Sequence, residues 1–174
     1  MKKRLIFLAA LLVLVCTVPS CSLSLSGASI PPEMKTVDVE LFENNALLVY
    51  GPLSQQFTES LKDRIRSQTR LNIIRDPEAD AMFTGSITTY SIAPVSVQAT
   101  GTNNAPPIAN ASRLTITINV KYVNKKDAKN NFEQPFTRTA DFTGDISAKE
   151  ASLVSDINKQ LTEDIFNRAF ANWN

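Results

Sequence analysis

The sequence predicts an α+β domain, a two-layer sandwich in which one largely antiparallel sheet of four to five strands is covered on one face by two helices. Three observations predict it. Leu114, Ile116, Ile118, Val120 and Tyr122 alternate with Arg113, Thr115, Thr117, Asn119 and Lys121, so one sheet face is buried and the other is polar. Phe57, Leu61 and Ile65 recur every four residues through about Gln68, the narrow apolar stripe of a helix lying on a sheet. Val154, Ile157, Leu161 and Ile165, widened by Leu153, Phe166, Ala169 and Phe170, give a second helix a broader apolar face.

Taken in order, the chain opens with Lys2-Lys3-Arg4 and the apolar run Leu5 to Val15, the positive start and hydrophobic stretch of a secretion signal. That run is too short to span about 30 Å of hydrocarbon. Val18-Pro19-Ser20-Cys21 resembles a bacterial lipobox: an aliphatic residue three before the cysteine and a small one directly before it, with Pro19 departing from the usual small residue. Cys16 fits less well, because Val15 before it is β-branched and too large. The expected organisation is a cleaved signal over 1–20, a lipidated Ser/Pro tether over 21–34, and a single domain over 35–174. Acylation of Cys21 would anchor the protein durably, since each buried methylene contributes about 0.8 kcal/mol. Ser22 follows the cysteine, with neither the Asp that retains lipoproteins in the inner membrane nor the acidic cluster of surface export. The expected address is therefore the outer membrane, facing the periplasm.

Val37, Val39 and Leu41 alternate with Thr36, Asp38 and Glu40 as a half-buried strand. Gly51-Pro52-Leu53-Ser54 is a turn that starts the first helix, whose wet face should carry Asp63, Arg64 and Arg66. Leu71 to Ile74 is short and β-rich, closed by Asp76-Pro77. From Met82 to Val97 the pattern is a longer strand in which Phe83, Gly85 and Ile87 share one face while Tyr90 and Ile92 fall on the other parity. A bulge near Thr88-Thr89 would return both sets to the core. Residues 99–111 lack any pattern and are expected to form a mobile hairpin tip. After the clear strand from Arg113 to Val123 comes a basic turn, Asn124 to Asn131. Phe132, Phe136, Ala140 and Phe142 then continue in a partner strand that Pro135 marks as an edge or bulge. Ser147-Ala148-Lys149-Glu150 has the form of a capping box opening the last helix.

Composition narrows the chemistry. Loss of Lys2, Lys3 and Arg4 with the signal leaves 15 basic residues against 17 acidic ones, which argues against wholesale nucleic-acid binding. Histidine is absent, removing the commonest general base and transition-metal ligand. Both cysteines lie in or beside the signal, so the mature chain has no internal disulfide and no free thiolate once Cys21 is acylated. No nucleophile-elbow motif or metal cluster is present, which makes a hydrolase the weakest reading.

Several segments together resemble the LptE family of outer-membrane lipoproteins, particularly the form found in Bacteroidetes. They are Ser26 to Glu33 (SGASIPPE), Leu53 to Asp63 (LSQQFTESLKD), Phe83 to Ile87 (FTGSI), Arg113 to Ile116 (RLTI), Asn124 to Asp127 (NKKD), Phe132 to Phe136 (FEQPF) and Asp164 to Phe170 (DIFNRAF). The resemblance implies a sandwich that plugs the lumen of the β-barrel protein LptD and, with it, delivers lipopolysaccharide to the outer leaflet. It implies no enzyme activity and no cofactor other than the lipid on Cys21; the partners would be the barrel, lipopolysaccharide and, through the anchor, the membrane.

Arg113, Lys121 and Arg138 are candidates for lipopolysaccharide phosphates, which suit arginine's fork, although they read first as solvated sheet-face charges. Lys125, Lys126 and Lys129 read first as a solubilising turn. Thr115, Thr117, Thr137 and Thr139 suit a polar barrel wall, and are also good exposed strand formers. Asp38 and Glu40 lie on one strand face without a cleft. The competing reading is a periplasm-facing lipoprotein module for another envelope ligand such as peptidoglycan.

Overall fold

The computed structural model describes residues 30–48, 50–95 and 111–171. The expected signal, Cys21 and most of the tether lie outside these residues, as does the expected hairpin tip apart from Ala111.

Among these residues six strands and two α-helices follow one another as β1 (Thr36–Val39), β2 (Glu43–Asn44), α1 (Leu53–Gln68), β3 (Asn72–Ile73), β4 (Ala81–Val95), β5 (Ala111–Asn124), β6 (Phe132–Thr143) and α2 (Glu150–Phe170), with one 3-10 turn at Ala128–Asn130 between β5 and β6. The sheet order is β3-β1-β4-β5-β6, with β2 also against β4. The fold class is the expected one. The long meander β4-β5-β6 is antiparallel, whereas β1 runs parallel to β3 and β4, and β2 parallel to β4. The sheet is therefore mixed: α1 carries the chain back to the starting end of the sheet before β3, as a parallel crossover requires.

The β4–β5 register shifts between Ile87 and Thr89, where the change of parity requires a bulge. Ile87 and Tyr90 are consequently both buried. Ile92 is not; it follows Tyr90 on the same face but remains 38 % exposed. Leu41 is exposed as well, since β1 ends at Val39 and the chain turns into β2. Leu114, Ile116, Ile118, Val120 and Tyr122 are fully buried beneath α2's Val154, Ile157, Leu161 and Ile165. Phe83, Tyr122, Phe132 and Phe170 pack as a chain of rings with centroids 4.6–5.9 Å apart. β6 is the sheet's last strand, so Pro135 sits on an edge, where its missing N–H costs least.

Two further local expectations are corrected. The capping box at Ser147 and Glu150 does not form: α2 starts at Glu150 with Lys149 before it and no side-chain cap. Ser147 instead donates its N–H and hydroxyl to Asp145, both at 3.0 Å, while Glu150 accepts the Tyr90 hydroxyl at 2.5 Å. Each partner of the box is bonded elsewhere. Arg64 is not on the wet face of α1 either; it crosses to α2, donating to the Lys159 carbonyl at 3.3 Å and lying 3.6 Å from Glu163. Residues 30–34, placed in the expected tether, include the buried Met34, whose N–H closes a turn on Pro31.

Candidate docking surface

Among the described residues, helices cover one sheet face and leave the other to the positions that alternate away from the core. On that face the register sets Thr89, Thr117 and Thr137 side by side, and Ser91, Thr115 and Thr139 in the next row. Ser86, Asn119 and Pro135 form a third. With strands about 4.8 Å apart, each row spans about 10 Å. Thr117 and Thr137 share a hydrogen bond between their hydroxyls at 2.9 Å. β-Branched threonine holds an extended backbone and leaves a hydroxyl outward, so the three rows give a rigid, hydroxyl-lined surface with no charged side chain among its nine residues.

Two ion pairs bracket it. Arg113 donates Nε and Nη2 to both oxygens of Asp141 at 2.6 and 2.8 Å. This bidentate bond holds the Asp141 carboxyl below its usual pKa and raises the guanidinium above its own. At the other margin Lys121 faces Glu133 at 3.4 Å. Both pairs are about half exposed, and such pairs contribute little to stability. Their effect here is to neutralise these two margins, while the exposed Glu43 of β2, in register with Ser86, sets a carboxylate beside the third row.

Arg138 does not belong to this surface. Its parity in β6 is that of Phe136 and Ala140, on the helix side, and it grips Asp164 of α2 through two bonds of 2.6 Å. The three candidate cations therefore do not converge: Arg113 and Lys121 stand about 27 Å apart along β5, Arg138 lies on the opposite face, and each already has a carboxylate partner.

The basic turn is tied into the body. Lys125 donates to the Pro77 carbonyl at 2.7 Å and Lys126 approaches Asp80 at 3.2 Å. Asp80 also accepts the backbone N–H groups of Lys35 and Thr36 at 2.8 and 3.0 Å, bonds that keep its pKa well below the ordinary carboxylate range. It clips the start of β1 to the start of β4 and to the β5–β6 turn. Sequence reasoning passed over Asp80, since a single Asp after Pro77 carries no pattern of its own. Asp38 is buried and Glu40 exposed, and among the described residues no group of three or more potential metal ligands occurs. No helix among them is long and apolar enough to cross a membrane.

A family model described as LptE, lipopolysaccharide-assembly, matches residues 34–169. No curated protein matches the chain by sequence. Among solved structures, a Xanthomonas campestris protein is similar at 12 % identity and a TM-score of 0.51, covering 80 % of this chain and 87 % of that one; this likeness supports the fold. An uncharacterised lipoprotein B of Nitrosomonas europaea is 16 % identical with a TM-score of 0.48, covering 86 % of each chain. The rare lipoprotein B of Shewanella oneidensis is 13 % identical with a TM-score of 0.48, covering 76 % of this chain and 92 % of that one.

Proposed function

The chain belongs to the LptE family of lipopolysaccharide-assembly proteins, and from that membership we propose that it is a lipid-anchored plug of an LptD-type β-barrel. On this reading residues 1–20 are removed, Cys21 carries the acyl chains, and residues 21–34 link the outer membrane to a periplasm-facing domain that seats within the barrel. With the barrel it assists the passage of lipopolysaccharide to the outer leaflet. The work is done by occupying a place and not by chemistry: the family is non-enzymatic and needs no cofactor.

The observation that carries the reading is the uncovered, hydroxyl-lined sheet face. The lumen of an outer-membrane barrel is polar, and a neutral hydroxyl surface can exchange hydrogen bonds with it without desolvating unpaired charge. The outward surfaces of the helices, with Asp63, Arg66, Asp156, Lys159 and Glu163 exposed, suit water better. Arg113 and Lys121 would then stand at the rim of the contact, where a lipopolysaccharide phosphate would have to share them with Asp141 and Glu133. Arg138, tied to Asp164, would meet such a phosphate only from the helix side.

Affinity purification from mildly solubilised native membranes should recover a large β-barrel with this chain, and metabolic labelling with a fatty-acid analogue should mark it at Cys21. Recovery of free monomer alone, or sedimentation with purified peptidoglycan in place of the barrel, would overturn the plug reading.

A further inference from the structure

β6 is paired along one side only. Phe132 to Thr143 lie against β5, and among the described residues no strand lies on the other side. The register says which backbone groups that leaves open. In β4 the carbonyls of Phe83 and Ile87 accept the N–H groups of Glu40 and Asn45, so these residues turn toward β1 and β2, and Ser86 turns toward Asn119 of β5. Alternation then gives Ile118 and Val120 to β6, at Phe136 and Gln134, and leaves Pro135 facing outward. Proline has no N–H to lose there. Every second residue after it, Thr137, Thr139, Asp141 and Thr143, likewise turns its N–H and C=O away from β5. Both ends of this row are closed. Pro135 offers no donor at one, and Lys149 Nζ donates to the Thr143 carbonyl at 2.9 Å at the other. Between them Thr137, Thr139 and Asp141 present their N–H and C=O groups over about 14 Å, without a backbone partner among the described residues. The opposite edge of the sheet has no such row, since β3 is two residues long and a short edge strand resists pairing.

We propose that this stretch of β6 is a pairing edge, to which an extended, uncharged segment of the barrel protein adds as a further strand beside Thr137 to Asp141. The proposal rests on the plug reading and names the element of the barrel protein that meets the domain. Donors and acceptors that recur at every second residue match an extended backbone and not a compact ligand. A closed barrel wall has no free edge, so the segment comes from a loop or soluble part of that protein, outside the wall. The window also continues the hydroxyl rows, which end on β6 at Thr137 and Thr139, so a strand added there widens the surface proposed above to meet the barrel. Charge selects the occupant as well. Asp141 is held by Arg113, and Arg138, on the helix side, is held by Asp164. The window therefore has no unpaired charge to recruit an acidic or basic segment, and its closed ends at Pro135 and Lys149 limit the register in which a strand can join.

The test compares two substitutions at Thr139 in the full chain, expressed with its native processing and purified with its barrel from mildly solubilised membranes. Thr139→Pro deletes an outward N–H without removing a bond to β5, as Pro135 does natively, whereas Thr139→Val keeps the N–H and removes the hydroxyl. Amide exchange in the wild-type chain, alone and in the complex, needs no variant and decides the matter even if the proline chain fails to fold. The proposal expects Thr139→Pro to reduce recovery of the barrel about tenfold, as loss of one backbone hydrogen bond does at the upper end of its range, with Thr139→Val near wild type. It also expects exchange at Thr137, Thr139 and Asp141 to slow in the complex. Equal recovery with the two variants, whether high or low, or exchange at these amides unchanged by the barrel, would overturn strand addition and leave the plug reading standing. No barrel recovered with the wild-type chain would overturn both. Slowing in the isolated chain that rises with its concentration would overturn the proposal in favour of pairing between two copies.

Discussion

Replacing Gly85 with alanine tests how tightly β4 is fitted between β5 and the loop that follows β1. An ideal Cβ at this position would lie 2.1 Å from the Asn119 carbonyl oxygen and 2.8 Å from Cε1 of Phe42. Neither neighbour can yield cheaply. The carbonyl belongs to the paired strand β5, and the Phe42 ring is fully buried, meeting Phe57 edge-on at 5.0 Å. Overpacking of this kind costs about 1–3 kcal/mol, and the backbone at φ +156° costs an L-residue about 1–3 kcal/mol more. The expected loss of about 2–6 kcal/mol is a large part of the roughly 5–15 kcal/mol that stabilises an ordinary domain. Urea unfolding followed by far-ultraviolet circular dichroism should show the midpoint fall by about 2 M, from about 4 kcal/mol at a slope of about 2 kcal/mol/M. An unchanged midpoint at an unchanged slope would refute the argument that the β4–β5 spacing and the Phe42 seat are fixed.

Thr58→Val should cost about 1–3 kcal/mol, because the Thr58 hydroxyl accepts the buried Phe42 N–H at 3.1 Å; Thr58→Ser should restore most of it, and amide exchange at Phe42 reads the difference. Asp80, Asp141 and Asp145 have pKa values lowered by hydrogen bonds from the Lys35 backbone, the Arg113 side chain and the Ser147 backbone respectively. Carboxyls of this kind contribute stability above their unfolded pKa of about 3.9 and lose it as the pH falls through the lower folded value. Thermal stability should therefore be level from neutrality to about pH 4 and decline below it, with a shallower acid limb in Asp80→Asn. If Arg113 meets lipopolysaccharide phosphate, Asp141→Asn should tighten binding by freeing the guanidinium and Arg113→Glu should weaken it; equal affinity of both variants in a titration would remove Arg113 from the account.

The meander was legible because its two signals are local and redundant. Alternation along β5 fixes which side is buried, and the parity break between Ile87 and Tyr90 can be absorbed only by an extra residue. The parallel pairing of β1, β2 and β3 was not, since strands of two to four residues carry too few positions to declare a direction. The capping box failed for a related reason: Ser147 and Glu150 have the right spacing, yet Asp145 and Tyr90 compete for them, and Tyr90 is sixty residues away in sequence. The hydroxyl face was visible in the threonines of β5 and β6, and the parity that Arg138 shares with Phe136 and Ala140 already separates it from Arg113 and Lys121; what the sequence does not show is its bond to Asp164.

The most direct test of the account places a photo-crosslinking amino acid at Thr117, in the middle of the hydroxyl rows, and another at Gln160 on the helix side, each in cells retaining the native barrel. The account predicts a high-mass adduct containing the β-barrel from position 117, with little or none from 160. Adducts from 160 with none from 117 would contradict it, because the barrel would then be meeting the helices and the open sheet face would be left without its partner.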